Sequence, residues 1–163
     1  MADWFVVNAR DARWFDRGPR GHVGLFERVD DEFEQVGINL FVLGPGQPMS
    51  MYHWEADQED FLVLSGEALL IVEDEERPLR QWDLVHTPAG VPHTIVGAGD
   101  GPCSILAIGA RQNQDGEGWG GYPLSEVAMR HDASAEAETT DPHEAYARFP
   151  DRQPGEFQDG WLP

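Results

Sequence analysis

Between residues 37 and 110 the chain is a succession of short apolar runs: GINLFVL, MSMYHWE, DFLVLSG, EALLIVE, RPLRQWD, LVHTPAG, HTIVGAG and CSILAIGA. Glycine, proline and acidic clusters separate them. Short β-prone runs with a turn signal roughly every 8 to 12 residues predict an all-β sandwich or barrel. Before this region, short strands are predicted at 4–8 and 22–28, on either side of the turn Arg17-Gly18-Pro19-Arg20. After Arg111 the pattern changes. QNQDGEGWGGYP leads into alanine- and glutamate-rich sequence, and Asp141-Pro142 is a helix start ahead of HEAYARF. Phe157, Trp161 and Leu162 are apolar anchors in an otherwise polar tail. The expected organisation is a barrel with N-terminal strands over 1–111, and an extension over 112–163 that contains a short helix and wraps the barrel or a neighbouring subunit.

One run breaks the apolar rule. YHWEADQEDF places His53, Glu55 and Glu59 at odd positions, as are Phe61 and Val63 after them. Side chains alternate faces along a strand, so regular pairing would put these five on one face. If that face points inward, an imidazole and two carboxylates sit beside an apolar interior and need a compensating partner. A second polar insertion follows in WDLVHTPAGVPHTIVG, where Pro88 and Gly90 predict a tight turn and His93 opens the next strand. Two separated histidines with carboxylates are a donor set for Mn, Fe, Co, Ni or Zn, and a divalent cation would be the missing partner.

Composition narrows the chemistry. The 163 residues fit one domain, and 40% hydrophobic content is enough for a core. Thirty acidic residues against 11 basic ones give a formal charge of −19, and every basic residue is arginine. Without lysine the chain has no amine side chain for Schiff-base chemistry. The acidic balance repels phosphate backbones and anionic lipid heads, so neither nucleic acid nor membrane is an expected partner. Cys103 stands alone in a strand-like run and is expected to be an inert core thiol. No apolar run approaches the length of a membrane helix, and a cytoplasmic location is expected.

The two polar insertions resemble the paired motifs of the cupins, a family of small β-barrels. The family pattern Gly, gap, His-x-His, three or four residues, Glu, six residues, Gly is similar to Gly46, His53-Trp54-Glu55, ADQ, Glu59, DFLVLS, Gly66. The second pattern, Gly, five residues, Pro-x-Gly, two residues, His, three residues, Asn, is similar to Trp82, DLVHT, Pro88-Ala89-Gly90, VP, His93, TIV, Gly97. Glu55 replaces the second histidine of the first pattern. Trp82 and Gly97 replace the glycine and the asparagine that begin and end the second. The resemblance covers about 45–110 and implies an all-β cupin-type double-stranded β-helix, or jelly-roll barrel.

It also implies a divalent transition metal on His53, Glu59 and His93, with Glu55 at the remaining ligand position and Glu55 or Glu59 doubling as general base. The implied activity is that of a metal-dependent enzyme on a small polar metabolite, a dioxygenase-type oxidoreductase ahead of an isomerase or epimerase. The alternative is a non-catalytic barrel that binds or senses a small ligand. Small cupins commonly form homodimers through barrel strands, and the ALLIV run offers apolar surface for one. Elsewhere, His86 is expected to be a core or wall residue. His22, His131 and His143 are expected in surface or structural roles, and Trp54 and Trp82 in ordinary packing. The EDEE run at 73–76 is expected to form a solvated hairpin turn.

Overall fold

Two sheets face each other across one apolar core in the computed structural model, which describes residues 4–114 and 116–163. The larger is built around β3 (Val36–Leu43), β5 (Glu59–Ser65) and β10 (Cys103–Ala110). It is extended on one side by β1 (Arg13–Asp16), β2 (His22–Leu25) and β12 (Gln153–Pro154), and on the other by β8 (Leu84–Thr87). Its seven strands run in the order β12-β1-β2-β3-β10-β5-β8, with every neighbouring pair antiparallel. The smaller sheet has β6 (Glu67–Val72) between β7 (Glu75–Arg80) and β9 (His93–Ala98). A third pair joins β4 (Trp54–Glu55) to β11 (Gly120–Gly121). Two one-turn helices, α1 (Glu126–Met129) and α2 (Pro142–Ala145), lie in the C-terminal third. The architecture is an all-β cupin barrel with small C-terminal helices.

The period of two explains which residues meet in the middle. Phe61 and Val63 of β5, Ala68 and Leu70 of β6, Ile95 of β9, and Cys103, Ile105 and Ala107 of β10 form the main core, with Leu43 and Val85. The opposite face of the larger sheet is also covered. Leu40 and Val42 of β3 pack with Trp14 and Trp161, flanked by Leu106 and Phe157. Over β3 and β10 both faces of that sheet are therefore covered, which is why those strands read as apolar runs more than as strict alternation, whereas β8 leaves Leu84 and His86 exposed. The β6–β7 hairpin turns through Glu73 and Asp74 at φ +48° and +62°, the backbone of a two-residue turn matched to strand twist. Among the described residues no helix is long and apolar enough to cross a membrane.

Several expectations are corrected. Residues 4–8 form no strand; the first strand is β1, and the second ends at Leu25. Trp4 and Val6 are exposed, and β propensity without a partner or a burial surface does not make a strand. MSMYHWE is not continuous strand. It bends, with a single bridge from His53 to His93 and then β4. Pairing therefore breaks between Glu55 and Glu59, and the expected regular face does not run through. Trp82 is 63% exposed and does not pack. Ala68, Leu70 and Ile71 of β6 are buried within the chain itself, while Leu69 and Val72 of the same run are half-buried.

Candidate metal centre

Each donor reaches the centre by a different local route. His53 leaves the bent segment before β4, where backbone bonds in both directions between His53 and His93 (3.1 and 2.8 Å) tie the two histidines side by side. Glu59 starts β5 opposite Thr87, whose Oγ1 donates to the Glu59 carbonyl at 2.9 Å. His93 starts β9, just after the Pro88–Val91 turn in which Gly90 sits at φ +81°. That conformation favours glycine.

The side chains converge. Nε2 of His93 is 3.1 Å from Oε2 of Glu59, and Nε2 of His53 is 3.5 Å from the same oxygen. One ligand atom from each of the three lies within 4.8 Å of the others. Glu55 stands at the edge, with Oε1 3.5 Å from Nε2 of His53 but outside that mutual cluster. Both imidazoles have Nδ1 2.9 Å from a backbone carbonyl, that of Met51 for His53 and that of Val91 for His93. A carbonyl only accepts, so Nδ1 carries the proton in both rings and each Nε2 turns its lone pair to the centre. Oε2 of Glu59 and Nε2 of His93 are buried without a hydrogen-bond partner, and buried polar atoms are rarely left so. Three donors of the right type around one point, two of them orphaned, fit a divalent cation.

Electrostatics agree. Burial works against charge on both His53 and Glu59. Glu55 and Glu59 outweigh it and push the His53 imidazole well above its ordinary range. Burial would likewise raise the Glu59 carboxyl, but the two histidines hold it far below the usual carboxylate range. A positive charge belongs here, whether a proton or a metal ion.

The centre opens into a cavity of about 310 Å³. Phe41, Phe61 and Ala107 give it an apolar wall, and His53, Glu55 and Glu59 face it. Trp119 and Tyr146 line it from the C-terminal third, while Arg17 and Arg20 line it from the turn between β1 and β2. Sequence reading missed these four. The available cue for the arginines was a Gly-Pro turn bracketed by two cations in a chain with 30 acidic residues. Tyr146 gave none, yet its Oη accepts from Met51 N–H at 3.1 Å, next to the carbonyl that orients His53.

Other candidates fall elsewhere. His86 is half-exposed, 2.7 Å from Asp60 on the outer surface, so it is a wall residue and not a core one. His131 pairs with Glu76 at 2.8 Å, and the His22 ring packs on Trp161. Trp54 lies beside Gly121, away from the metal cavity. Burial pushes the Cys103 thiol up to about 11, leaving an inert core residue.

Comparison with known proteins follows the same lines. The cupin domain model matches residues 39–109. The oxalate-binding protein of Thermotoga maritima is 25% identical over 95 residues, 56% of this chain and 78% of that one. A sugar phosphate isomerase of the cupin superfamily from Silicibacter pomeroyi is 28% identical with a TM-score of 0.50, the match covering 64% of this chain and 62% of that one. A conserved barrel domain protein from Salinispora arenicola, 16% identical, has a TM-score of 0.53 over 81% of this chain and 97% of its own, and shares the fold. With its paired motifs, its two-sheet barrel and a His-Glu-His cluster inside the matched region, residues 39–109 of this chain are a cupin domain.

Proposed function

We propose that this protein is a metal-dependent cupin enzyme acting on a small polar metabolite, with His53, Glu59 and His93 holding a divalent cation and Glu55 serving as the acid–base group. The observation that carries the reading is the pair of orphaned buried atoms, Oε2 of Glu59 and Nε2 of His93, aimed at one point beside the cavity. When bound, such a cation supplies Lewis acidity toward a substrate oxygen.

The chain's own groups do the rest. The Nδ1–H bonds to Met51 and Val91 fix both imidazoles in orientation and aim each Nε2 at the centre. The apolar wall of Phe41, Phe61 and Ala107 limits water in the cavity. Glu55, with its side chain 26% exposed, is the most open of the four candidate ligands and faces the space a substrate would fill. A carboxylate so placed can take a proton from a substrate carbon or hydroxyl and return it, as isomerisation requires. The likeness to a sugar phosphate isomerase supports that class. A dioxygenase would draw on the same ligand residues, but no side chain here favours it over proton transfer.

A second reading, a barrel that binds a small ligand without turnover, is favoured by the relative named for oxalate binding. Elemental analysis by ICP-MS on untagged protein separates these ideas from a metal-free barrel. Near-stoichiometric transition metal is expected, lost from the His53→Ala, His93→Ala double variant. Unchanged metal in that variant would sink the assignment. Glu55→Gln is expected to keep the metal and stop turnover in a screen of small hydroxy acids and sugar phosphates run with and without oxygen. Ligand binding without turnover in the wild type would favour the binding barrel.

A further inference from the structure

Arg17 and Arg20 flank the Gly-Pro turn between β1 and β2, a single 3-10 turn over Gly18–Arg20. The turn is fixed to the barrel. Gly21 closes it at φ +69°, where a Cβ would collide with the backbone carbonyl of Val42, so only glycine fits there without strain. Arg17 is 6% exposed. Its Nη1 donates to the Met49 carbonyl at 2.8 Å and its Nη2 to the Arg20 carbonyl at 2.5 Å, while the guanidinium lies over Phe41 at 4.8 Å. Arg20 lies over Tyr146 at 4.5 Å. Both arginines line the cavity that His53, Glu55 and Glu59 face.

Neither arginine has a carboxylate partner among the described residues, and the Nε of each is buried with no hydrogen-bond acceptor. This is unexpected in a chain of 30 acidic residues and 11 basic ones. Arg10, Arg77, Arg111 and Arg130 each find a carboxylate. Arg111 also lines the cavity, but Glu27 holds it at 2.6 Å. Burial, and then the neighbouring Arg20, push the Arg17 guanidinium down to about 9. It still carries its charge near neutral pH, so a cation is buried there without a counter-charge, an arrangement that folding alone disfavours. Both retain uncommitted N–H donors in the planar fork that matches carboxylate and phosphate.

We infer that Arg17 and Arg20 form an oxyanion clamp, and that the molecule brought to the metal centre is a small acid whose carboxylate or phosphate group sits on these two guanidiniums. The inference rests on the proposed function for what lies at the other end of the ligand. Charge balance fits it. A divalent cation would offset Glu55 and Glu59, and Arg111 is held by Glu27; the one further carboxylate in the lining, Asp57, accepts from the backbone and side-chain N–H groups of Asn113, so two guanidiniums against one carboxylate leave the cavity a net positive charge. An anionic substrate neutralises that charge and has one end fixed while its other end faces Glu55.

The test is calorimetric titration of the protein, both chelator-treated and Mn²⁺-loaded, with inorganic phosphate and with succinate. Binding of at least one probe is expected, and the preferred probe tells phosphate from carboxylate. Arg20→Gln should weaken it about tenfold or more, the scale of a charge-assisted contact. Arg77→Gln, which alters an exposed pair on β7, should leave it unchanged, and Mn content should be the same in all three proteins. Arg17→Met should weaken it further; because Arg17 also braces Met49, Arg20→Gln alone decides the outcome if the Arg17 variant does not fold. Equal affinity in the wild type and Arg20→Gln, or binding of neither probe in either state, would overturn the clamp. If the protein takes up no metal yet binds the anion through Arg20, the clamp stands and the metal reading falls. If it holds metal but Arg20→Gln changes nothing, the reverse is true.

Discussion

Glu59 keeps its charge in a place where burial alone would protonate it, because two imidazoles point at one of its oxygens. His53 is the mirror case, a buried base that two carboxylates favour as a cation. The signs give a pH prediction. With the centre free of metal, the raised His53 contributes stability that is fully present below 6.5, its unfolded value, and is lost as pH rises through its raised folded value. The depressed Glu59 contributes stability present above 4.5 and lost as pH falls below it toward its folded value. Chelated protein should therefore melt at its highest temperature between these limits, and lower as the solution turns alkaline. Protons and metal compete for the same lone pairs, so the gain in melting temperature on adding Zn²⁺ or Mn²⁺ should grow with pH over that range. Scanning calorimetry checks both slopes. The same alkaline decline in His53→Ala would show that another group is responsible.

Two residues that depart from the cupin pattern do so for opposite reasons, and both belong to the elements that deliver His93. Gly97, at the end of β9, stands where the family pattern has asparagine. A Cβ there would collide with the carbonyl oxygen of Gly44 and come within 3.0 Å of Leu43 Cβ. β9 is pressed against the chain between β3 and β4, and Gly97→Ala should cost about 1–3 kcal/mol in urea unfolding, the usual scale of overpacking. Trp82 stands where the family pattern has glycine, yet keeps a backbone at φ +73° with its side chain exposed. Trp82→Gly should leave stability unchanged or raise it by up to about 1 kcal/mol, since relief of the left-handed strain outweighs glycine's entropy. A loss comparable to that of Gly97→Ala would mean that Trp82 packs in solution. These elements also mark what could be read in the sequence. β5, β6, β9 and β10 were legible because their apolar positions recur along the strand itself, and His53, Glu59 and His93 were legible because polar side chains interrupt that recurrence. β1 was not, since its outer partner β12 and its cover Trp161 come from the far end of the sequence. The arginine turn was equally hidden: nothing local to Arg17 announces Met49 as its acceptor, 32 positions away.

The larger sheet is covered on both faces around β3 and β10, and the second cover depends on residues 157–162. Trp161 is 8% exposed. Its ring lies 5.0 Å from Trp14 and 4.5 Å from His22, with Phe157 at 5.9 Å, over Leu40 and Val42 of β3. β12 adds two pairings to the edge strand β1 beside it. The N-terminal strands and the last residues thus close over one another, while residues 119–149 cover the opposite side through Tyr122, Ala128, Ala133 and Ala145. A 163-residue chain with a formal charge of −19 repels itself when compact, so apolar area at this closure weighs heavily. Trp161→Ala should lower unfolding stability by about 3–5 kcal/mol, the range for emptying a large aromatic site. The loss should be one cooperative transition if the closure and the barrel fold together. Because Arg17 and Arg20 follow β1 directly, loosening β1 should also weaken phosphate or succinate binding below the melt, while metal content, set by β5, β9 and the bent segment at His53, stays constant. An early separate transition in urea, with anion affinity intact, would show that the C-terminal closure is a cover over a self-sufficient barrel and not a structural part of the cavity wall.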